Sequence, residues 1–485
     1  MFTRRDLLAA GAASAVINNG ICAASPKSNI PLDISQLRAR FDGEVITPDA
    51  QNYDQARHVA IGNQRVASHP AAIAFCASAS DIARTIAFAR SANADLAVRA
   101  GGHDFAGMSI CDGVLLDVTR LNSIDIDATA HVVRVGAGLR SGQLCSALQP
   151  YGLAPALGCD PHVGVTGLTL SGGLGWMLGK HGAACDNLLS ARLVTADGKE
   201  IIASPKQNPE LLWGLKGGGG NFGVVTELTL AVHPVRQVVK GVIVYAAPRP
   251  AEFLRFFRDY AAKAGPDIDY EFYIMPRPTP MAFLKLCYTG DPDRAETVLA
   301  PLRAYGPPLA DGISAGIYSG GVDPTGEAAR LFAPLPEQHS VDDTPGNSAT
   351  GVSAAPLSDA LFDAIEAHIA GAPHNWRFGG GYYVRGAAIV DNNASAWPRH
   401  EGQMSFFFSA GWHRPEQAAS AMAWVDNARS SLREHLGPTY INFITEQDQR
   451  IVAEAYGANY PRLRRLKRLW DPDNVFRRNR NIEPA

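Results

Sequence analysis

The sequence predicts an α+β fold built from two α+β domains. Its 485 residues are 46% apolar, which allows a large buried core and, by length alone, two or three domains. Between Pro70 and Pro234, short β-rich runs alternate with Gly or Asp-Gly turns and with one or two helical patterns. Beyond Pro234 this pattern of short runs and turns changes, so the boundary between the domains is predicted near residue 235.

The elements of the first domain follow from local patterns. A capping pair that begins at Ser80 predicts a helix over residues 80–90, and Ile82, Ile86 and Ala89 fall on one face of it. Short runs of branched residues that end in Gly or Asp-Gly predict the strands. These strands are predicted at 96–100, 113–117, 132–135, 193–198 and 224–230.

The second domain is predicted from residue 236 to about 435. Its strands are expected at 238–245, 270–275 and 404–410, and its helices at 250–264 and 415–435. Residues 308–358 form a weakly patterned stretch rich in Gly, Pro and Ser. The last fifty residues begin a separate segment at 436, with a basic helix at 460–470 that ends at an Asp-Pro pair.

Charge and cysteine usage exclude several classes of function. The 44 basic and 47 acidic residues nearly balance, so the basic surface that nucleic-acid binding requires is not expected. No run of about 18 apolar residues predicts a membrane span. The 7 cysteines have neither a disulfide framework nor a zinc-binding spacing, so no metal is predicted. Cys76 and Cys145 lie in apolar helical patterns and are expected in the core.

Residues 1–24 are predicted to be a signal peptide. Arg4 and Arg5 precede an apolar run at 7–17, and small residues before position 25 predict cleavage after Ala24. The paired arginines also indicate the twin-arginine export machinery, which exports folded proteins. The mature chain is therefore expected in the periplasm or outside a bacterial cell.

Three glycine clusters, at 98–107, 158–175 and 217–223, require backbone that approaches something closely. The third contains a G-x-G-x-x-G spacing at Gly218, Gly220 and Gly223, but a predicted strand follows it where a dinucleotide site needs a helix. The first two clusters present successive backbone N–H groups in loops, a pattern that binds phosphates. They predict a large, anionic, extended ligand.

These motifs, together with the carboxyl end, resemble the berberine bridge enzyme-like flavoproteins of the vanillyl-alcohol oxidase superfamily. The resemblance covers nearly all of the mature chain in the expected order. The residues that carry it are Arg99-x-Gly101-Gly102-His103, Val163-Gly164-x-x-Gly167-Leu168, His181-Gly182, Asp186-Asn187-Leu188, Asn221-Phe222-Gly223, Tyr440-Ile441-Asn442-Phe443 and Asn479-x-Asn481-Ile482-x-Pro484.

The resemblance implies a specific domain organisation. A PCMH-type FAD-binding domain of two subdomains spans 25–235, and an α+β substrate domain built on an antiparallel sheet spans 236–435. A segment at 436–485, typical of the carboxyl end of these proteins, returns to complete the FAD side. The implied activity is removal of a hydride from an alcohol or amine C–H bond of a small organic substrate, with O2 reduced to H2O2.

The resemblance also implies that FAD is attached covalently through His103. Val163 falls where the family has its oxygen gate, and a small valine there favours an oxidase. The cofactor contacts implied by the matched motifs are Arg99, Ala100, Gly101, Gly102, Asp104, Phe105, Gly107, Cys159, Asp160, Val163, Gly164, Gly167, Leu168, Gly172, Gly173, Gly175, Asn187, Asn221, Gly223, Val225, Asn442, Asn479 and Asn481.

Two positions depart from the family pattern. Asp160 stands where some members have a cysteine that makes a second flavin bond, with Cys159 one residue earlier; we expect a single bond, and a link through Cys159 is the alternative. Phe443 stands where many members have a tyrosine base, and it cannot accept a proton. The candidate bases that remain are Tyr440, Tyr382, Tyr383 and Tyr273.

Three functions remain open at this point. The first is an oxidase, and the second is a dehydrogenase of the same fold that uses another electron acceptor. The third is a flavin carrier or ligand-binding protein without turnover, which the missing base at Phe443 suggests. The sequence does not distinguish an aromatic, alkaloid-like or polyketide substrate from a sugar.

Overall fold

Three β-sheets with flanking helices make up the described part of the chain. The computed structural model describes residues 32–58, 68–104, 106–235, 237–276, 279–332, 346–373, 375–389, 394–445 and 448–485. The predicted α+β class is confirmed. The predicted signal peptide at 1–24 lies outside the described residues.

The first sheet has the order β1-β2-β4-β3, in which β2, β4 and β3 run parallel and β1 pairs antiparallel with β2. Helix α3 begins one residue earlier than predicted, because the Ser78 hydroxyl, not Ser80, accepts the Asp81 N–H. β3 leads directly into the first glycine cluster. The elements are α1 (Ile34–Arg38), β1 (Glu44–Ile46), α2 (Tyr53–Arg57), β2 (Ala72–Phe75), α3 (Ala79–Ser91), β3 (Leu96–Arg99) and β4 (Val114–Asp117).

The second sheet is antiparallel, with the order β5-β6-β10-β8-β9 and with β7 paired to the end of β10. β10 follows the third glycine cluster, so the helix that a dinucleotide fingerprint needs does not follow that cluster. The elements are β5 (Ile124–Asp127), β6 (Val132–Gly136), α4 (Ser141–Leu148), β7 (Leu153–Pro155), α5 (Val165–Leu170), α6 (Leu178–His181), β8 (Leu188–Val194), β9 (Glu200–Ala203), α7 (Pro209–Leu215) and β10 (Val224–Pro234).

The third sheet is antiparallel, with the order β14-β11-β13-β12-β17-β18-β16 and with β15 beside β11. One face packs on helices to form a large apolar core that includes Tyr270, Phe272 and Phe406. The elements are β11 (Val238–Ala246), α8 (Pro250–Lys263), β12 (Ile268–Met275), β13 (Met281–Tyr288), α9 (Ala295–Ala304), β14 (Ala310–Asp311), β15 (Ser314–Gly316), α10 (Gly326–Phe332), β16 (Gly346–Ala354), α11 (Asp359–Ala370), β17 (Trp376–Gly381), β18 (Met404–Trp412) and α12 (Pro415–Ser431).

Three local expectations differ from the structure. The strand predicted at 193–198 is only the end of β8, because the Gly198 N–H bonds the Thr195 carbonyl at 2.9 Å and closes a turn there. The weakly patterned stretch at 308–358 contains β14, β15, α10 and β16, because short or small-residue strands pair with established neighbours without an apolar alternation of their own. Cys76 is buried as expected, but it follows strand β2 and does not lie in a helix. Cys145 lies in α4 and is buried.

The carboxyl-terminal segment contains α13 (Gln449–Tyr456) and α14 (Tyr460–Trp470) and packs on the third glycine cluster. The fully buried Lys467 Nζ donates to the carbonyl oxygens of Asn221 at 2.9 Å and Phe476 at 3.0 Å and to Asp471 Oδ2 at 2.7 Å. Burial lowers the pKa of this amine, although Asp471 opposes the effect. Among the described residues, no helix has the length and apolar character needed to cross a membrane.

Candidate active site

The first two glycine clusters meet backbone to backbone. A Cβ placed on Gly101 would lie 2.4 Å from Gly164 Cα, and one placed on Gly164 would lie 2.7 Å from Gly101 Cα. The Val163 carbonyl accepts the Ser141 N–H at 2.9 Å and fixes this entrance to α5. The loop after β3 and the start of α5 therefore form one continuous surface, and a side chain on either glycine would separate them.

A cavity of about 440 Å³ opens beside the first loop. The buried Arg99 connects residues that line this cavity. Its Nε lies 2.5 Å from Asp117 Oδ2, and a terminal nitrogen donates to the Ala56 carbonyl at 2.6 Å. Arg120 and Arg140 also line the cavity; Arg120 is ion-paired with Glu44 of the same lining, so Arg140 carries the additional positive charge. The remainder of the lining includes Ala100, Gly101 and Gly102. Such a cavity suits a phosphate-bearing group.

His103 lies at the end of the first loop and faces Asp160 of the second. The distance from His103 Nε2 to Asp160 Oδ2 is 3.6 Å, and the His162 N–H donates to Asp160 Oδ1 at 2.7 Å. Burial opposes ionisation of Asp160, but its hydrogen bonds with His103 and His162 outweigh burial and hold its pKa below the usual value. The carboxylate is thus placed to orient the imidazole.

Cys159 points away from His103, toward the third sheet. Its Sγ accepts a hydrogen bond from the Tyr382 hydroxyl at 2.6 Å and donates to Glu271 Oε1 at 3.9 Å. Burial raises the pKa of the thiol well above its usual value, so the sulfur stays protonated at neutral pH. Cys159 therefore contacts the third sheet, whereas its neighbour Asp160 contacts His103 of the first glycine loop.

A row of aromatic rings crosses the open face of the third sheet. Ring centroids lie 5.5 Å apart for Tyr273 and Phe407, 6.1 Å for Phe407 and Phe443, and 5.1 Å for Phe443 and Tyr440. Trp397 continues the row, 4.7 Å from Tyr440. The rings meet edge to face or tilted, with interplanar angles from 42° to 76°, and they give the site an aromatic, largely apolar wall suited to a ring-bearing substrate.

Tyr440 is locked in place by its hydrogen bonds. Its hydroxyl oxygen accepts the Gly173 N–H at 2.8 Å and the Asn442 amide at 2.8 Å. Burial raises the pKa of Tyr440 to about 12, although both hydrogen bonds oppose the shift. A phenol with this pKa is protonated at neutral pH, so the structure does not favour Tyr440 as the base.

The other predicted phenols are also poor bases. Burial raises the pKa values of Tyr382 and Tyr273 well above the usual range for tyrosine. Tyr383 packs against the apolar core on the far side of the sheet, so the prediction that it acts in the site is wrong. Tyr382 and Tyr383 follow the end of β17, where Tyr382 takes a φ of 58° and its hydroxyl reaches Cys159.

Comparison with known proteins agrees with this geometry. The family described as FAD binding domain matches residues 70–204, and the family described as Berberine and berberine like matches residues 439–483. The chain is 31% identical over 457 residues to (R)-6-hydroxynicotine oxidase of Paenarthrobacter nicotinovorans, which covers 92% of this chain and 97% of that protein. The chain belongs to the berberine bridge enzyme-like FAD-linked oxidoreductases.

Solved structures support this oxidoreductase family. The crystal structure of 6-hydroxy-D-nicotine oxidase from Arthrobacter nicotinovorans has a TM-score of 0.81 and 27% identity, covering 92% of this chain and 98% of that one. A variant of berberine bridge enzyme described as a reticuline dehydrogenase has a TM-score of 0.80 at 20% identity, covering 93% and 99%, and shows the shared fold alone. The family predicted from the motifs is confirmed, and FAD is its cofactor.

Several features of this oxidoreductase fit FAD. The Thr166 hydroxyl and the side-chain carbonyls of Asn479 and Asn481 are buried without a hydrogen-bond partner among the described residues. A Cβ on Gly167 would meet nothing within 4 Å, so one side of α5 borders open space. Unpaired polar atoms beside a glycine surface are expected where a polar ligand binds.

Some predicted cofactor contacts have other partners. Asn187 uses its amide within the protein: Nδ2 donates to the carbonyls of His181 and Ala183, both at 2.9 Å, and Oδ1 lies 2.7 Å from His233 Nε2. Asn221 binds the carboxyl-terminal tail through the Ile482 N–H at 2.9 Å. The predictions that these two side chains contact FAD are therefore not supported, because their hydrogen-bonding groups are in use.

Other predicted contacts are packing positions. A Cβ on Gly175 would lie 1.7 Å from the Leu157 carbonyl oxygen, and one on Gly223 would lie 2.8 Å from the Val194 oxygen. Val225 is buried in β10. Gly175, Gly223 and Val225 therefore have a packing role, and their contacts with FAD stay predictions. Phe105 lies outside the described residues.

The remaining predicted contacts lie along the glycine loops. Gly172 and Gly173 take positive φ values of 125° and 91°, and a Cβ on Gly172 would meet Tyr440 at 2.8 Å. Leu168 packs beneath Gly173. Gly107 has a φ of 66° and follows Asp104 in the first loop.

Two functional candidates were missed from the sequence. Arg480 lies 3.5 Å from Asp104 and donates to the carbonyls of Ile444 at 3.0 Å and Asn442 at 3.3 Å, so it joins the first loop to the 441–443 turn. Arg480 is the residue between Asn479 and Asn481, which the matched motif specifies. Its place between these two residues is the sequence signal that could have identified it. The second is Glu271. The alternation of residues along β12 indicates which face of the sheet Glu271 takes, but not which residues it contacts.

Proposed function

We propose that this oxidoreductase is an oxidase that holds FAD covalently through His103 and oxidises an alcohol or amine C–H bond of a small ring-bearing molecule. The observation that supports the proposal is the contact between Gly101 and Gly164, which joins the loops that contain His103 and Val163. When bound, FAD supplies a two-electron acceptor that O2 can reoxidise to give H2O2. The chain supplies binding, orientation and exclusion of water.

Each loop has a part in holding the cofactor. Arg99 and the backbone of Gly101 and Gly102 line the cavity for the phosphate-bearing portion. Asp160 orients the imidazole of His103 for attachment. Thr166 and the side-chain carbonyls of Asn479 and Asn481 offer hydrogen bonds to the polar edges.

The geometry favours one covalent bond over two. The Cys159 sulfur is hydrogen-bonded to Tyr382 on the substrate side, whereas Asp160 occupies the side that faces His103. A bond through Cys159 would require the loop to rotate and to break both contacts of the sulfur. The covalent FAD peptide is therefore expected to contain His103 and not Cys159.

The substrate is expected to carry a ring and an amine. Tyr273, Phe407 and Phe443 are the partly exposed rings of the aromatic row and offer contact to a substrate ring. The relative that shares 31% identity is named for its action on 6-hydroxynicotine. A dehydrogenase of the same fold that uses another electron acceptor is the second candidate, and peroxide release on turnover in air distinguishes it from the oxidase. Val163 at the loop junction favours the oxidase.

Export of the folded protein is a separate proposal. Arg4 and Arg5 before an apolar run support a twin-arginine signal and a periplasmic or secreted location. Replacement of both arginines by lysine is expected to retain the protein in the cytoplasm, as measured by immunoblotting of cell fractions. An unchanged distribution would refute the proposed route.

An anaerobic flavin-reduction screen tests the activity. The panel contains (R)-6-hydroxynicotine, other cyclic amines, benzylic alcohols and oligosaccharides. Bleaching of the flavin by an amine, followed by H2O2 release on admission of air, supports the oxidase. Bleaching without peroxide release supports the dehydrogenase, and no bleaching by any member supports a flavin carrier without turnover.

A further inference from the structure

A buried carboxylate faces the site from the middle of the third sheet. Glu271 is 5% exposed and lies in β12, between Tyr270 and Phe272, which point into the apolar core. Because side chains alternate along a strand, Glu271 and Tyr273 share the opposite face, which carries the aromatic row. This face meets Cys159 of the second glycine loop.

The groups that contact Glu271 are weak acids. The Cys159 thiol donates to Oε1 at 3.9 Å, and the Tyr273 hydroxyl is hydrogen-bonded to the same carboxylate. Tyr382 donates in turn to Cys159. Burial raises the pKa values of the thiol and of both phenols, so these neighbours stay protonated and act as donors at neutral pH.

Charged groups surround this cluster on neighbouring elements. Lys285 is the direct cross-strand partner of Glu271 on β13, and its Nζ lies 5.2 Å from the centroid of the Tyr273 ring. Arg377 on β17 lies 5.6 Å from the same centroid. Asp160 lies next to Cys159 in the chain and is held by His103. On the other side of Glu271, its partner in β17 is Gly381, which has no side chain to cover the carboxylate.

We propose that Glu271 is the proton acceptor of the oxidation, in place of the hydroxyl that Phe443 lacks. This inference rests on the proposed function. A Glu271 carboxylate oxygen would take the proton of the substrate N–H or O–H, while the adjacent C–H carbon gives up a hydride and an imine or carbonyl double bond forms. Bound FAD would supply the acceptor for that hydride, and O2 would then take the two electrons to give H2O2.

The arrangement explains how an aromatic residue at 443 is compatible with turnover. Phe443 and Phe407 cover the ring side of the site, and the carboxylate lies beyond them on β12, which β17 separates from the strand of Phe407. Tyr440 is occupied as an acceptor for Gly173 and Asn442. The substrate proton therefore goes to Glu271 on the third sheet and not to a residue of the 441–443 turn.

The test compares wild type with Glu271→Gln and Glu271→Asp, using the panel member that reduces the wild-type flavin fastest. Glu271→Gln is expected to slow anaerobic flavin reduction about 10²- to 10⁴-fold at pH 7, the range that a general base contributes. Glu271→Asp, which keeps a carboxylate, is expected to restore part of the rate. Flavin absorbance and the urea midpoint show whether each variant is folded and loaded.

An infrared measurement tests the proton transfer without relying on rate. Anaerobic reduction by substrate is expected to add a protonated-carboxyl band in wild type, and this band should be missing in Glu271→Gln. A Glu271→Gln rate within threefold of wild type, or an unchanged carboxyl band, would overturn the assignment of Glu271 while leaving the oxidase intact. Wild-type flavin that no panel member reduces would overturn the proposed function and the assignment of Glu271 together.

Discussion

Replacing Gly101 by alanine should separate the two glycine loops. The added Cβ would lie 2.4 Å from Gly164 Cα and 2.5 Å from Gly164 N, so the backbones must part by about 1 Å to reach ordinary contact. Overpacking of this kind costs about 1–3 kcal/mol. If the cost falls on the bound form, the Kd for FAD rises about 5- to 150-fold.

The measurement uses the His103→Ala background, in which the proposed covalent bond cannot form and binding is reversible. The Kd for FAD is obtained by fluorescence titration with and without Gly101→Ala. Gly306→Ala is the matched control, because a Cβ at Gly306 would meet nothing within 4 Å. A Kd for Gly101→Ala within twofold of its parent would refute the idea that the Gly101–Gly164 contact builds the FAD surface.

Three further predictions concern stability and attachment. Tyr440→Phe removes the acceptor of two hydrogen bonds and should cost about 1–3 kcal/mol in urea denaturation, while leaving the pH profile of flavin reduction unchanged; loss of the profile would restore Tyr440 as a base. Asp160→Asn should slow covalent incorporation of FAD, followed by the flavin retained after acid precipitation; unchanged retention would exclude an orienting role. Burial beside His181 lowers the pKa of His233 to about 4, so stability should fall as pH drops from 6.5 toward 4, and His233→Gln should flatten this dependence in urea titrations; an equally steep dependence would contradict it.

The sign of the pH effect follows from which state binds the proton. In the unfolded chain His233 titrates near its ordinary value, whereas the folded protein disfavours the charged ring because of burial and the stacked neighbour 3.7 Å away. Between these two pKa values only the unfolded chain takes up the proton. The contribution of His233 to the free energy of unfolding is therefore fully present above pH 6.5 and decreases as the pH falls.

The fold was predictable where local patterns set it. Helix α14 begins and ends at the predicted residues, and β10 follows the third glycine cluster as expected. The strands within 308–358 were not predictable, because β14 and β15 are only two and three residues long and depend on β11 for pairing. Long-range pairing of this kind leaves little local signal.

The site was predictable in its motifs but not in its contacts. His103 and Gly164 were identified from their sequence context, and the structure brings their loops together. Asn187 matched the same pattern, yet its amide is consumed by His181, Ala183 and His233. Glu271 was missed because a strand pattern indicates which face a residue takes and not which loop lies across from it.

The central claim is that His103, at the junction of the two glycine loops, carries the flavin. Mass spectrometry of proteolytic peptides from the acid-denatured protein tests it most directly. The peptide containing His103 is expected to retain one covalently bound FAD, and the peptide containing Cys159 is expected to be unmodified. An unmodified His103 peptide, with all FAD released into the acid supernatant, would contradict it.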